Sequence, residues 1–171
     1  LIQSLRSIGY SFNSAVADII DNSIDARAKT IEVNINSGDL DSFSLSISDD
    51  GFGMTFEELK KAMSLGSKSP EFERTEGDLG RFGMGLKTAS FSQAKILSVI
   101  SKTESSEWSG LRWDLQEVAE TNEWNAKVLS VKEISAVIEG ISIGESFSSG
   151  TIVRWDCCDR LVPLNSDAQV L

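Results

Sequence analysis

The sequence predicts an α/β fold, in which helices and strands alternate along one domain. Segments with apolar residues at helical spacing are followed by segments in which every second residue is apolar, as in strands that bury one face. The length of 171 residues and the fractions of 40% apolar and 25% charged residues are typical of a single globular domain. No apolar run approaches the roughly 18 residues that a membrane-spanning helix needs, so no membrane partner is expected.

The first half of the chain supplies two helices and two strands, predicted in order as a helix at 12–26, strands at 30–36 and 43–49, and a helix at 55–65. Both strands alternate with period two, and the turn residues 37–41 join them. The second helix begins with a capping box, because Thr55 and Glu58 have the spacing that lets each side chain cap the other residue's N–H group.

The second half is predicted to begin with a loop at 66–82, which is polar, charged and glycine-rich. A short helix is predicted at 83–91. The remaining elements are predicted as four strands, at 94–101, 108–115, 125–134 and 150–158.

Composition excludes several classes of function. The chain contains no histidine, which rules out Ser-His-Asp triads, histidine metal sites and a phospho-accepting histidine within these residues. The net charge of -10 argues against a surface for the nucleic-acid backbone, so any nucleic acid is expected to bind through other domains. Cys157 and Cys158 are predicted as small buried side chains, and without a disulfide framework the expected location is cytoplasmic. Because the chain begins at Leu1, we expect residues 1–171 to be one domain at the N-terminal end of a longer protein.

The first helix has one polar and one apolar side. At about 100° per residue, Asp18, Asn22 and Asp25 fall within about 60° of one another. The apolar side chains fall opposite them, at Phe12, Val16, Ile19, Ile20 and Ile24. One interpretation of the polar side is a solvated helix face. The other is a set of amide and carboxylate oxygens suited to Mg²⁺, which often shares its coordination shell with phosphates.

A glycine turn directly follows the second strand, in the segment SDDGFGM. Asp49, Gly51 and Gly53 form the pattern D-x-G-x-G, and the glycines let the backbone approach a ligand closely. The carboxylate could accept a hydrogen bond from an amine such as the adenine amino group. The alternative interpretation is an ordinary Asp-Gly turn.

The segment LGRFGMGLKTAS places Gly80, Gly83 and Gly85 before a predicted helix. It is not a P-loop, because Leu86 occupies the position of the required lysine and no strand precedes Gly80. It is not a Rossmann turn either, because the two glycine spacings occur in the reverse order. What remains is a helix N-terminus whose free N–H groups attract phosphates.

In this order, the segments resemble the GHKL ATPases with the Bergerat fold, a family that includes DNA gyrase, MutL and MORC proteins, histidine-kinase catalytic domains and a heat-shock chaperone. The N box of that family is an acidic residue followed, after three others, by Asn, and Asp18 and Asn22 are similar to it. The two glycine motifs match the second and third boxes, and Gly150-Thr151 matches a late G-T of MutL-type members. The resemblance implies a two-layer α+β sandwich, with a mixed, mainly antiparallel sheet covered by helices on one face.

The resemblance also implies a role for each matching residue. Asn22 would hold the Mg²⁺ that bridges the phosphates of ATP, and Asp49 would accept from the adenine amino group with support from Thr151. The other nucleotide contacts are expected in the two glycine motifs, at Gly51, Gly53, Met54, Gly80, Gly83, Gly85 and Leu86. Residues 66–82 would form a lid over ATP. Further phosphate contacts are expected from three basic residues, for which solvated charges are the alternative, namely Lys68, Arg81 and Lys87.

One position departs from the family and leaves the activity open. Asp18 stands where most hydrolysing members have the Glu that activates the attacking water, and it is shorter by one methylene, about 1.5 Å. The first interpretation is an ATPase, in which slow Mg-dependent hydrolysis drives dimerisation or a conformational change of a larger homodimeric protein. The second is an ATP-sensing module without turnover, and the third is a histidine-kinase-like phosphotransferase. The segments NSIDA, DDGFGM and GTIVRWD are more similar to MutL and MORC proteins than to histidine kinases.

Overall fold

The computed structural model of the chain describes residues 6–7, 9–36, 43–64, 82–139, 141 and 147–160, except for the side chains of 82–84. Its helices are α1 (Phe12–Asp25), α2 (Phe56–Met63), α3 (Phe82–Gln93), α4 (Leu115–Thr121) and α5 (Val131–Ile138). Its strands are β1 (Ile31–Asn36), β2 (Ser44–Asp49), β3 (Ile96–Lys102), β4 (Ser109–Asp114), β5 (Lys127–Val128) and β6 (Gly150–Asp156). Among the described residues, no helix combines the length and the apolar character needed to cross a bilayer.

The six strands form one sheet in the order β1-β2-β6-β3-β4-β5. The predicted α/β sandwich is confirmed, and every pairing between these described strands is antiparallel, so the parallel pairing of a mixed sheet is not found among them. The last strand in sequence, β6, lies between β2 and β3, where Thr151 is paired with Asp49 on one side and Ser101 on the other. This crossover brings three distant parts of the chain to one end of the sheet.

The main hydrophobic core lies between one face of the sheet and helices α1 to α4. Val99 and Val153 are paired across neighbouring strands and both belong to this core. The next residues, Ile100 and Ile152, belong to a second cluster with Ile134 of α5, because successive residues of a strand point to opposite faces. Of the helices in the described part of the chain, four therefore cover one face as predicted, and α5 packs against the other.

Ser11 caps the start of helix α1, where its side chain accepts the N–H of Ser14 in the first turn. The buried side of the helix consists of Ala15, Ile19 and Ser23, one turn apart. The predicted apolar side is therefore correct for Ile19 and also for Phe12, Val16 and Ile20, which pack partly buried against the main core, whereas Ile24 is 59% exposed. Ile24 lies one residue, about 100°, beyond Ser23, which places it outside the buried stripe.

Helix α4 is not predicted from the sequence, and a strand is predicted where α5 lies. Of the strand predicted at 125–134, only the two residues of β5 form. Ser130 and Glu133 form a capping box that begins α5, in which the Glu133 carboxylate accepts the Ser130 N–H at 2.9 Å. Asp114 likewise caps α4 by accepting the Gln116 N–H at 2.9 Å. Both caps are visible in the sequence, where the S-x-x-E signal indicates a helix and the alternation of apolar residues indicates a strand.

Candidate functional site

The central group of the site is the carboxylate of Asp49, the last residue of β2, which is only 4% exposed. Its Oδ1 accepts the Gly51 N–H at 2.9 Å, and its Oδ2 accepts the Ser23 hydroxyl at 2.9 Å. Burial raises the pKa of Asp49, although the donors from Gly51, Ser23 and the Thr151 backbone oppose this effect. The two hydrogen bonds fix the orientation of the Asp49 carboxylate. Because a carboxylate has about four acceptor positions, it can still accept a hydrogen bond from a ligand.

Ser23 belongs to the site, although the sequence analysis does not identify it. It follows Asn22 on α1 and lies on the buried stripe of that helix. Its hydroxyl connects α1 to the end of β2 through Asp49. The available signal was a hydroxyl on the buried side of an amphipathic helix, because a buried polar group needs a hydrogen-bond partner.

The turn that follows β2 is packed closely against two neighbouring strands. Gly53 has a φ of +67°, and a Cβ at this position would lie 1.8 Å from the carbonyl oxygen of Lys102. At Gly150, a Cβ would lie 2.1 Å from the carbonyl oxygen of Asp49. These two glycines are therefore required by the packing of the backbone on β3 and β2, whatever contact they make with a ligand.

Ser101 of β3 connects this turn to β6, and the sequence analysis does not single it out. Its hydroxyl oxygen accepts the Met54 N–H at 2.8 Å and donates to the Gly150 carbonyl oxygen at 2.9 Å. The Thr151 hydroxyl lies 2.9 Å from the hydroxyl oxygen of Ser101. Ser101 thus holds Met54 and Thr151, two of the predicted nucleotide-contacting residues, beside each other.

Asp18 and Asn22 lie one turn apart on α1, and both side chains are half-buried. The pKa of Tyr10 is raised, mainly by hydrogen bonding to Asp18 and also by burial and by the negative charge of Asp18. Asp25, the third residue of the predicted polar side, is exposed at the end of the helix. Within the described ranges, no three His, Cys, Asp or Glu side chains could hold a metal ion together. A magnesium ion on the Asn22 amide oxygen would therefore take its other oxygens from water and phosphate, which is ordinary coordination for this ion.

The glycine-rich segment leads into α3, which begins at Phe82, one residue earlier than predicted. Gly83 is the second residue of this helix, where backbone N–H groups have no partner within the helix, and Gly85 and the buried Leu86 follow. A side chain at Gly85 would meet no described atom within 4 Å, so the backbone faces open space there. Three residues of the predicted phosphate site lie outside the described residues, namely Lys68, Gly80 and Arg81. Nearly all of the predicted lid, 66–81, lies outside them as well.

The side chain of Lys87 is buried in α3, and its ammonium donates to the carbonyl oxygen of Ser64 at the end of α2. Burial lowers the pKa of Lys87 to about 8. Ser64 is the last described residue before the predicted lid, so Lys87 attaches α3 to the point from which that segment starts. A phosphate contact by Lys87 stays a prediction.

A cavity of about 830 Å³ adjoins the turn after β2. Its lining includes charged and aromatic residues, among them Asp25, Arg27, Lys29, Asp50, Phe52 and Phe147. The Asp50 carboxylate accepts the N–H groups of Lys29 at 2.6 Å and Thr30 at 2.8 Å. Burial acts to raise the pKa of Asp50, but these donors outweigh it and lower the pKa, so this carboxylate serves the local backbone. Of the predicted nucleotide-contacting residues, Gly51 lines the cavity, whereas Asn22, Asp49, Met54 and Thr151 do not, so the cavity adjoins the predicted nucleotide site at the turn after β2.

Parts of the chain are similar in sequence to known proteins. A segment of 91 residues is 31% identical to the ATPase morc-1 of Caenorhabditis elegans, and it covers 53% of this chain and 10% of that protein. A segment of 88 residues is 38% identical to the DNA mismatch repair protein MutL of Anaplasma phagocytophilum (strain HZ), covering 52% of this chain and 12% of that protein. MutL of Buchnera aphidicola subsp. Schizaphis graminum is 31% identical over 101 residues, which is 57% of this chain and 17% of that protein.

These matches span a small part of each relative, at most 17% of its length. The family model for histidine kinase-, DNA gyrase B- and HSP90-like ATPases matches residues 10–151, which is most of the chain. That range includes α1, the turn after β2, α3 and the start of β6, the elements that form the site. The resemblance found in the sequence is thereby confirmed, and the chain belongs to this family, the GHKL ATPases.

Proposed function

We propose that this domain binds ATP with Mg²⁺ and hydrolyses it slowly, and that this cycle drives dimerisation or a conformational change of a larger protein. The observation that carries the proposal is the buried Asp49 carboxylate, which Ser23 and Gly51 orient beside Thr151. Membership of the GHKL family supports nucleotide binding, and one of the relatives is itself named an ATPase.

The adenine is expected against Asp49, because the exocyclic amino group is a donor and the carboxylate is an acceptor. The Thr151 hydroxyl lies on the neighbouring strand, where it can reach the base directly or through water. The turn from Gly53 to Met54 is already fixed by its contacts with β3. Such a site requires little ordering when the nucleotide binds, which favours affinity.

The phosphates are expected at the start of α3, where free N–H groups and the helix dipole favour anions. The open space at Gly85 would let phosphate oxygens approach the backbone. Asn22 would hold Mg²⁺ through its amide oxygen, and the ion when bound would neutralise part of the phosphate charge.

Hydrolysis requires a base for the attacking water, and Asp18 is the residue in the family's position for it. The carboxylate would take a proton from the water while the water oxygen bonds to the terminal phosphorus and ADP leaves. A general base must come within about 2.6–3.2 Å of the water, and Asp is one methylene shorter than the usual Glu. Slow turnover follows if Asp18 reaches the water, and an ATP-sensing module follows if it does not.

The experiment measures phosphate release and Mg-ATP affinity of the full-length protein, for wild type, Asp18→Ala and Asp18→Glu. Asp21→Ala is the matched control, because Asp21 is an exposed carboxylate on the same helix. We expect Asp18→Ala to lower turnover about 100-fold with little change in affinity, and Asp21→Ala to leave both unchanged. We expect Asp18→Glu to turn over at least as fast as wild type.

Equal, background-level phosphate release from wild type and Asp18→Ala would reject the ATPase and leave the ATP-sensing module. Transfer of the terminal phosphate to a partner protein would indicate the phosphotransferase instead. Absence of measurable Mg-ATP binding by the wild type would reject the proposal as a whole.

A further inference from the structure

We propose that β1 is a pairing surface for a second copy of this chain, in which two β1 strands meet antiparallel about a two-fold axis and join their sheets. The inference goes beyond the proposed function, because it concerns one edge of the sheet and does not require ATP. The first residue of β1, Ile31, is paired with Asp49. From there the strand runs away from the nucleotide site to Asn36, at the other end of the sheet.

The two edges of the sheet differ in how they are protected against pairing with another chain. β5, at one edge, is two residues long, and its Lys127 ammonium lies 2.9 Å from the Glu133 carboxylate. Short edge strands and edge lysines are common ways in which proteins prevent such pairing. β1, at the other edge, has six residues in an unbroken register with β2 and contains neither proline nor lysine. Its outer side therefore presents a regular row of N–H and C=O groups.

The side chains of β1 form one apolar and one polar face. Val33 is paired with Ile47, a member of the main core, so its side chain points to that face of the sheet. Ile35, two residues later, points to the same face. Val33 is nevertheless 41% exposed and Ile35 is 55% exposed, because they lie at the edge of the core. A partner strand with apolar residues on this face would cover both side chains and extend the main core.

β1 itself has the pattern that such a partner strand needs. In antiparallel pairing about a two-fold axis perpendicular to the sheet, each copy keeps its apolar residues on the same face. Two registers preserve this match and overlap most of the strand. In one of them Val33 lies opposite its own copy, and in the other Asn34 does. Both registers place apolar side chains opposite apolar ones and polar side chains opposite polar ones.

Charge also favours a second copy in this orientation. Glu32 is the only charged residue of β1. It lies opposite Asn34 in the first register and opposite Asn36 in the second, so a carboxylate faces an amide in both. Within the strand, Asn34 Nδ2 already donates to Glu32 Oε1 at 2.6 Å, so the two groups are suitable partners. A parallel, in-register pair would instead place the two Glu32 carboxylates side by side, where like charges repel.

The test traps the contact covalently, because interfaces below about 1,200 Å² are weak and each copy contributes one short strand. Val33→Cys and Asn34→Cys are made in the full-length protein, which is oxidised mildly without nucleotide and separated on a non-reducing gel. A cysteine that faces its own copy forms an intermolecular disulfide, which requires Cα atoms within about 7 Å. Wild type gives the background from the native cysteines. The matched controls are Ile35→Cys on the same edge and Val128→Cys, 58% exposed, on the other edge.

We expect one of the two central variants, Val33→Cys or Asn34→Cys, to cross-link, according to the register. Two Ile35 residues would be offset by about 7 Å or more along the strand, so Ile35→Cys should cross-link at least about tenfold less. Adding Ile35→Lys to the cross-linking variant should lower the cross-linked fraction at least about tenfold, because each pair would bury two ammonium groups. Ile35→Lys alone should keep the Kd for Mg-ATP within about twofold, because this exposed residue lies far along β1 from Asp49.

Cross-linking of both central variants no greater than that of Val128→Cys would overturn the inference. Equal cross-linking of Val33→Cys, Asn34→Cys and Ile35→Cys would also overturn it, because that result indicates random collision, and so would cross-linking that persists with Ile35→Lys. Cross-linking in a cell extract to a different polypeptide, without self-cross-linking, would replace the second copy with a strand of another protein. None of these results bears on the proposed function, which Mg-ATP binding and phosphate release test separately.

Discussion

Ser23→Ala should destabilise the protein to an extent that depends on pH. The Ser23 hydroxyl donates to Asp49 Oδ2 at 2.9 Å, and both residues are buried. A hydrogen bond to an ionised group contributes about 1.5–3 kcal/mol, whereas one between neutral groups contributes about 0.5–1.5 kcal/mol. The substitution leaves almost no cavity, so the loss should be about 2 kcal/mol when Asp49 is ionised and about 1 kcal/mol when it is protonated.

The direction of the pH dependence follows from the raised pKa of Asp49 in the folded protein. Because the folded state holds this proton more tightly than the unfolded state, ionisation of Asp49 costs stability above its folded pKa, and the cost disappears as pH falls through that pKa. Ser23 reduces the free-energy cost of ionising Asp49, because its hydroxyl donates to the carboxylate. The difference between wild type and Ser23→Ala should therefore be largest at neutral pH and shrink as the solution is made acidic.

Urea unfolding of the full-length protein measures the free-energy difference between wild type and Ser23→Ala at each pH. Tryptophan fluorescence monitors the unfolding, because Trp113 and Trp155 are buried in the main core of this domain. Ser149→Ala is the matched control, because the Ser149 hydroxyl is buried and donates to the neutral carbonyl oxygen of Gly51 at 2.8 Å. The loss of stability caused by Ser149→Ala should not vary with pH. An equal cost of Ser23→Ala at neutral and acidic pH would refute the reasoning.

Three further predictions concern single positions. Gly53→Ala should lower the free energy of unfolding by about 3 kcal/mol, from the positive φ and the overlap with Lys102, whereas Gly85→Ala should change it by less than about 1 kcal/mol; similar unfolding midpoints for the two variants would contradict this. Asp49→Asn should weaken Mg-ATP binding about 10- to 100-fold in titration calorimetry and shift the preference between ATP and GTP, since an amide also donates; binding like that of wild type would remove Asp49 from the site. Lys87 has a folded pKa of about 8, below the ordinary 10.5, so the unfolded chain binds more protons between these values and stability should rise with pH there. Lys87→Met should abolish that rise in urea unfolding, and a rise that persists in the variant would assign it to another group.

Several features of the fold follow from local sequence alone. The helix at Phe56–Met63 begins with the capping box of Thr55 and Glu58 that the spacing predicts. The amphipathic first helix is confirmed within one residue at its end, because its cap and its buried stripe depend on residues at most a few positions apart. The order of the acidic, glycine and G-T motifs was sufficient to indicate the family, since each motif is a short contiguous segment.

Local signals were insufficient where tertiary contacts decide between two compatible structures. The alternation of apolar residues in NAKVLSVKEI suits a strand, yet α5 forms there because its apolar residues pack on Ile100 and Ile152 from the far face of the sheet. Ile24 lies one turn after Ile20 on the apolar side of α1, but the buried stripe of Ala15, Ile19 and Ser23 is set by the elements that α1 packs against.

The sequence by itself determined most of the elements, the motifs and the family, because hydrophobic period, caps and glycine spacing act over short distances along the chain. Only the tertiary structure decided which residues meet. Ser23 and Ser101 join the site through hydrogen bonds to Asp49 and Thr151, and both pairs are separated by more than 20 residues. These pairs depend on the insertion of β6 between β2 and β3 and on the packing of α1 against the sheet, and strand order and register are fixed by the burial of the whole core.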